Sequence, residues 1–161
     1  MIKSLIGLDY LESQIGHDLE MLQYPPLNWV KMRTNSDGVL INDVVIIGGG
    51  MCGLVAHFAL LRAGINNIRS FDLQKAGYEG PWVNYARMET LRSPKNLAGP
   101  SLGMPNLTFQ AWFEAQWGRE RWDELDKIPT IIWMDYLVWY RKVLNLNIEN
   151  EKEVVDIKSI D

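Results

Sequence analysis

A run of valine and isoleucine, a cluster of glycines and a helix-like stretch follow one another between Asp43 and Gly64. The segment 43–47 has the composition of a strand buried on both faces. Residues 51–63 carry apolar side chains at helical spacing, and a second short apolar segment ends in Asp72. This order predicts an α/β fold in which a crossover helix joins two parallel strands.

The pattern G-x-G-x-x-G falls on Gly48, Gly50 and Gly53, between the first strand and the helix. In such a turn the first glycine permits the tight bend and the second lets a pyrophosphate approach the backbone, while the third lets the helix pack on the strand. The phosphates would bind N–H groups at the start of the helix, where Met51 and Cys52 lie. The motif therefore predicts a dinucleotide site, and the alternative is a glycine-rich turn without a ligand.

Asp72 follows the last glycine by about 20 residues, at the end of the second predicted strand, where a carboxylate can accept hydrogen bonds from ribose hydroxyls. We include its neighbour Leu73 in the predicted site. A carboxylate at this position would repel a 2′-phosphate, which argues against NADP as the ligand of this site. Neither His17 nor His57 has metal-like spacing, so we expect both to be surface or packing residues, and we expect Cys52 to be a small packing residue.

Residues 1–42 are predicted to form an N-terminal helical extension and linker that precedes an α/β domain, 43–161. Apolar residues recur at helical spacing from Leu8 to Leu22, and we expect this helix to pack on the domain. In a Trp-rich segment, Thr108 and Thr130 are candidate caps of two more helices.

Val155 and Ile157 suggest a last strand. The formal net charge of −4 gives no basic field for nucleic acid. No apolar run approaches the ~20 residues that span a bilayer. Cys52 is the single cysteine, and no signal peptide is visible. We therefore expect a cytoplasmic protein with no nucleic-acid and no membrane partner.

The segment from Leu73 to Leu107 is rich in glycine and proline and has little periodicity. A simple NAD domain would continue from Asp72 into a second crossover helix. A long irregular segment instead suits a flavin, whose large ring needs backbone and side chains beyond the ribose. A small NAD-dependent dehydrogenase is a further alternative, weakened because the sequence offers no catalytic dyad.

The stretches VVIIGGGMCGLVAHFALLRAG, EGPWVNYARMETLRSPKNLAGPSLGMP and KIPTIIWMDYLVWYRKVL resemble the flavin-containing monooxygenase-like FAD/NAD(P)-binding oxidoreductases. The resemblance is most specific in residues 79–103. It implies a Rossmann-like FAD-binding domain with a parallel sheet, in which Gly48, Gly50 and Gly53 hold the FAD pyrophosphate and Asp72 holds the ribose.

The resemblance also implies residues along the rest of the cofactor. EGPW is similar to the GGTW segment of related monooxygenases, so Trp82 would line the flavin. Val154 matches the place where backbone groups meet adenine. The residues that would follow Trp82 along the ring are Met88, Thr90, Leu91 and Ser93. In the family, NAD(P)H reduces FAD, and the reduced flavin activates oxygen for insertion into a small-molecule substrate.

Members of this family are much longer and carry a second glycine motif for NAD(P)H, which this sequence lacks. The resemblance therefore implies an incomplete fold, truncated before the NAD(P)H domain, that binds FAD with little turnover. We assign no catalytic residue, and Glu79, Arg87 and Arg92 are expected to form surface or structural ion pairs. The second hypothesis is a non-catalytic protein with an empty dinucleotide fold that covers a strand edge near Asp43–Ile47 by self-association, most simply as a homodimer.

Overall fold

The structure, a computed structural model, describes residues 7–159. The helices and strands of that part of the chain are, in order, α1 (Leu8–Met21), β1 (Val44–Ile47), α2 (Met51–Arg62), β2 (Ile68–Phe71), α3 (Phe109–Glu124) and α4 (Thr130–Val143). Two short 3₁₀ helices, Gly99–Ser101 and Pro105–Leu107, lie in the long segment between β2 and α3.

β1 and β2 pair in parallel, with Val44 opposite Ile68 and Ile47 opposite Phe71. α2 connects them, so the predicted strand–helix–strand unit is confirmed. The two strands form a small parallel sheet in the described part of the chain. The complete Rossmann-like sheet stays a prediction.

A third segment joins this sheet beside β2, at Glu149 rather than at the valine-rich end of the chain. Glu149 donates its N–H to Ser70 O at 2.8 Å and accepts from the Asp72 N–H at 3.0 Å. The strand predicted at Val155 and Ile157 is wrong, because residues 152–159 have no regular secondary structure and are exposed. Backbone hydrogen bonds to β2 set the position of this segment. Within the described residues, Val155 and Ile157 pair with no strand.

Two helix starts were predicted from threonine, and the structure confirms one. The Thr108 hydroxyl accepts from the Ala111 N–H at 3.1 Å and caps α3. Thr130 is not a cap, since Pro129 occupies the N-cap position of α4. Thr130 instead donates its N–H to Glu89 O at 3.0 Å, which holds the irregular segment against the start of α4.

The core of the protein is formed by side chains of all four helices, α1, α2, α3 and α4. Leu11 and Ile15 of α1 are buried in it, which confirms the predicted packing of the N-terminal helix. Tyr136 and Tyr140 of α4 are fully buried. Their hydroxyls donate to carbonyl oxygens of the irregular segment, Tyr136 to Leu107 at 2.7 Å and Tyr140 to Pro100 at 2.9 Å. Burial raises the pKa of both phenols, so they remain donors and anchor this segment.

Candidate functional site

The predicted glycine motif forms a tight turn between β1 and α2. Gly48 has φ 105° and donates its N–H to Phe71 O at 2.8 Å, so the turn leaves β1 while still attached to β2. A Cβ on Gly53 would lie 1.8 Å from Gly48 O. Only glycine permits this approach, which confirms the predicted packing role of Gly53. We call residues 48–50 the glycine turn.

The first turn of α2 carries N–H groups that the helix itself does not use. Leu54 donates to Gly50 O at 3.0 Å and begins the helical hydrogen-bond series. The N–H groups of Met51, Cys52 and Gly53 precede that bond and therefore have no acceptor within the helix. Gly50 provides no side-chain cap. These donors, together with the positive end of the helix dipole, favour an anion.

An open cleft of about 500 Å³, which we call the glycine cleft, lies against these donors. Its other wall is the loop around Gly80, where a Cβ on Gly50 would lie 3.5 Å from Gly80 Cα. Two glycines thus face one another across the cleft. The predicted site residues that line the cleft are Gly48, Gly50, Met51, Cys52, Gly53 and Trp82.

Trp82 connects the glycine cleft to the aromatic core. Its ring lies edge-on to Trp133 of α4, with the ring centroids 6.2 Å apart. Its indole Nε1 is buried and has no hydrogen-bond partner among the residues of the structure. A buried donor without a partner is uncommon in folded proteins.

The Asp72 carboxylate braces the glycine turn. Oδ2 accepts from the Gly49 N–H at 2.6 Å and Oδ1 accepts from the Gln74 N–H at 2.7 Å. The residue is 7% exposed. Each carboxylate oxygen can accept a further hydrogen bond, so binding to a ribose stays a prediction for Asp72. The neighbouring Leu73 is exposed.

Gly49 stands at a position where the G-x-G-x-x-G motif allows any residue, but the structure leaves little room there for a side chain. A Cβ at this position would lie 2.8 Å from Ile148 Cγ2, 3.3 Å from Asp72 Cβ and 3.4 Å from Glu79 Cγ. The third segment of the sheet therefore closes over the turn. Sequence reasoning missed this residue, and the run of three consecutive glycines was its only signal.

A buried polar network supports the loop beside the glycine turn. Glu79 Oε1 accepts from Arg141 Nη1 and from Asn150 Nδ2, each at 2.7 Å. Glu79 Oε2 accepts from the Gly77 N–H at 2.7 Å, and Arg141 Nη2 donates to Ile148 O at 2.7 Å. The expected ion pair of Glu79 is confirmed as a structural one, and Glu79 is 3% exposed. No sequence pattern indicated Arg141 or Asn150 as members of this network.

A cavity of about 450 Å³ lies on the α4 side of the glycine turn. Glu79 and Arg141 form its polar wall. Met134, Leu137 and Val138 of α4 form its apolar wall. Gly50 lines both this cavity and the glycine cleft, so the glycine turn separates two spaces.

The residues expected further along a cofactor lie elsewhere. Thr90 pairs with Pro129 in an isolated antiparallel bridge. Met88, two residues earlier in the chain, is half-buried. Neither lines the glycine cleft. Val154 is 38% exposed and lies in the segment without secondary structure. Their roles along a flavin or at adenine stay predictions.

Four other side chains of the irregular segment divide between core and surface. Leu91 is buried in the hydrophobic core. Ser93, Arg87 and Arg92 are exposed, and no ion pair of either arginine occurs within residues 7–159. The ion pairs expected for these two arginines are therefore not found in the part of the chain that the structure describes.

His57 and Cys52 take different places on α2. His57 is buried, shares a 2.8 Å hydrogen bond between Nδ1 and Ser70 Oγ, and packs α2 on β2 as expected. Burial lowers its pKa. Cys52 is exposed at the cleft, so its prediction as a packing residue is wrong. The first turn of α2 projects this side chain away from the sheet.

The described residues, 7–159, contain neither a membrane-spanning helix nor a cluster of metal ligands. No helix there is long and apolar enough to cross a bilayer. No group of three or more histidine, cysteine or carboxylate side chains there could hold a metal ion.

Comparison with known proteins relates nearly the whole chain to part of a longer protein. No protein-family model and no solved structure matches this chain. Over 153 residues, which are 95% of the chain, it is 48% identical to a protein of Xanthomonas campestris pv. campestris named FAD-dependent urate hydroxylase. The chain spans 32% of the length of that relative. It is therefore similar, along almost all of its own length, to about one third of a protein whose name records dependence on FAD.

Proposed function

We propose that this chain binds FAD and is the FAD-binding part of a flavin-dependent oxidoreductase of the monooxygenase type. One observation carries the proposal: the free N–H groups of the first turn of α2 face a cleft whose opposite wall holds Gly80 and Trp82. The similarity to a protein named for FAD dependence supports it. That similarity covers both the glycine turn and the loop of Gly80, since it extends over 95% of the chain.

The residues of the site fit the chemistry of FAD. The diphosphate would accept from the N–H groups of Met51, Cys52 and Gly53, and the helix dipole would add about 0.3–1 kcal/mol of stabilisation. Gly50 and Gly80 leave room for it because neither has a Cβ. Asp72 would accept from the ribose hydroxyls with its remaining lone pairs.

Bound FAD would supply the redox chemistry, and the protein would orient and shield it. Trp82 contributes an aromatic side chain to the cleft wall. We assign no proton-transfer step to the residues of this site. We therefore propose that the chain by itself has little turnover.

For the longer protein we propose hydroxylation of a small heterocycle, with NAD(P)H as the reductant. Urate is the first substrate to test, because the relative's name records urate hydroxylation. The sites for reductant and substrate would both depend on residues outside the third of the relative that this chain matches.

The test of FAD binding is the visible absorption spectrum of the purified chain after addition of FAD and desalting. Wild type should retain flavin bands, and Gly50→Leu should lose them because a leucine would fill the space towards Gly80. Gly16→Leu is the matched control, since Gly16 lies on the exposed face of α1 with nothing within 4 Å of a Cβ. Wild-type protein that folds and retains no flavin would exclude the proposal, and rapid NADPH oxidation by the chain alone would contradict little turnover.

A second candidate function is that of a self-associating, non-catalytic protein. Val45 and Ile47 of β1 are 49% and 54% exposed. Within residues 7–159, β1 pairs with β2 alone, so its other edge is open. A homodimer would cover this apolar strand. Sedimentation of a monodisperse monomer would contradict this candidate, and FAD binding distinguishes it from the first.

A further inference from the structure

Two buried acidic side chains lie next to Gly49. Asp72 Cβ and Glu79 Cγ are 3.3 Å and 3.4 Å from the position that a Gly49 Cβ would occupy. Asp72 is 7% and Glu79 is 3% exposed. Two acidic side chains therefore lie beside the glycine turn, just before the N–H groups of α2.

Such an arrangement opposes the binding of an anion. Charges that are removed from water interact more strongly than exposed ones, because the protein interior screens them less. Asp72 accepts from two backbone donors, the N–H groups of Gly49 and Gln74. Glu79 likewise accepts from the Gly77 N–H and from Asn150 Nδ2, but neutral donors do not cancel the charge of a carboxylate. A diphosphate near the glycine turn would therefore be repelled by Glu79 unless a cation offsets its charge.

Arg141 supplies that charge. Its Nη1 lies 2.7 Å from Glu79 Oε1, and the Arg141 and Glu79 side chains are 23% and 4% exposed. Nη1 also donates to Asn150 Oδ1 at 2.8 Å, and Nη2 donates to Ile148 O. These bonds fix the guanidinium on Glu79, so the pair is electrically neutral.

We infer that Arg141 neutralises Glu79 so that the glycine turn can accept the diphosphate of FAD. Arg141 acts through Glu79 and is a positioning residue. The inference rests on the proposed FAD binding. It goes beyond the glycine motif, because it makes a residue of α4, 62 positions from Glu79, part of the cofactor site.

The opposing explanation is that Arg141 only ties α4 to the third segment of the sheet. Three variants separate the effect of the Arg141 charge on FAD binding from the effect of the side chain's shape. Arg141→Gln removes the cation and leaves Glu79 charged. Arg141→Lys keeps a cation but loses the planar fork, and the double variant Glu79→Gln/Arg141→Gln removes both charges while keeping polar amides.

The experiment measures the dissociation constant of FAD by the quenching of flavin fluorescence, with the whole chain at neutral pH and low salt. Arg69→Gln is the matched control, because it breaks an exposed bidentate pair with Glu149 in the same sheet. Circular dichroism establishes that each variant is folded.

Arg141→Gln should weaken FAD binding about tenfold or more, as expected when one partner of a buried charge pair is removed. Arg141→Lys, the double variant and Arg69→Gln should stay within about threefold of wild type. Equal affinity of Arg141→Gln and wild type would overturn the inference. A loss of FAD affinity greater than about threefold in Arg141→Lys or in the double variant would also overturn it. If Arg141→Gln does not fold, the affinities of Arg141→Lys and the double variant decide whether the inference stands. Wild type that binds no FAD would instead overturn the proposed function.

Discussion

The backbone N–H of Gly49 donates a 2.6 Å hydrogen bond to Asp72 Oδ2. This bond ties the turn after β1 to the residue that follows β2, so the same carboxylate that the sequence assigns to a ribose also shapes the turn that would hold the phosphates. Both ends of the proposed nucleotide site therefore depend on one buried acid.

Replacement of Asp72 by alanine should destabilise the fold. The buried Gly49 N–H and the Gln74 N–H would lose their acceptor, and an unsatisfied buried donor costs about 1–3 kcal/mol. Urea unfolding measures this loss. Leu73→Ala is the control, because Leu73 is adjacent and exposed. Equal unfolding midpoints for Asp72→Ala and Leu73→Ala would show that the carboxylate does not brace the turn.

Gly49→Ala should destabilise the protein by about 1–3 kcal/mol, because the new methyl group would overlap Ile148 Cγ2. Thermal unfolding measures the effect. In an Ile148→Ala background the same substitution should cost less, since the overlapping group is gone. Gly16→Ala should instead be neutral or stabilise by about 0.5–1 kcal/mol, because it lies in helix α1 with open space around it. Equal costs in the two backgrounds would contradict the predicted overlap.

Stability should depend on the protonation of His57. Burial lowers its pKa below 6.5 in the folded protein, so the unfolded chain binds the proton more readily. The stability is full above a pH of about 6.5 and is lost as the pH falls towards the lowered pKa of the folded state.

His57→Gln should therefore have a flatter dependence of the urea midpoint on pH between about 7.5 and 5.5 than wild type. His17→Gln, which changes an exposed histidine of α1, should keep the wild-type slope. Identical slopes for wild type and His57→Gln would exclude this role of the buried histidine.

Self-association, if it occurs, should require the open face of β1. Ile47→Lys places a charge on that face and should shift the sedimentation of an oligomer towards the monomer, because a buried unpaired charge opposes association. Ile131→Lys is the control, since Ile131 is 61% exposed on α4. An oligomer that resists Ile47→Lys must use another surface.

The part of the fold that could be predicted from sequence is the part built from neighbours in the chain. β1, α2 and β2 follow directly from a local pattern, and the close approach of Gly53 to Gly48 spans one turn. The motif rule also led to the cleft, since its glycines line it together with Trp82.

The features that were missed depend on residues far apart in sequence. Asn150 lies 71 residues from Glu79, and nothing local marks an asparagine after α4 as its partner. The position of the third sheet segment was also wrong, because Glu149 is polar and pairs through its backbone while the apolar Val155 stays outside the sheet. Gly49 is constrained by Ile148 of that same segment, so its role could not be seen before the segment was placed.

The edge-on contact between Trp82 and Trp133 has an optical consequence. Trp133 lies 5.1 Å from Tyr136, and Tyr136 lies 5.8 Å from Trp139, measured between ring centroids. Excitation energy passes readily from tyrosine to tryptophan and between tryptophans at such separations, so energy absorbed by Tyr136 can reach Trp133 and then the ring at the wall of the glycine cleft. The ultraviolet emission of this cluster thus reports on whatever lies beside Trp82, and a coloured molecule at that wall would dim it.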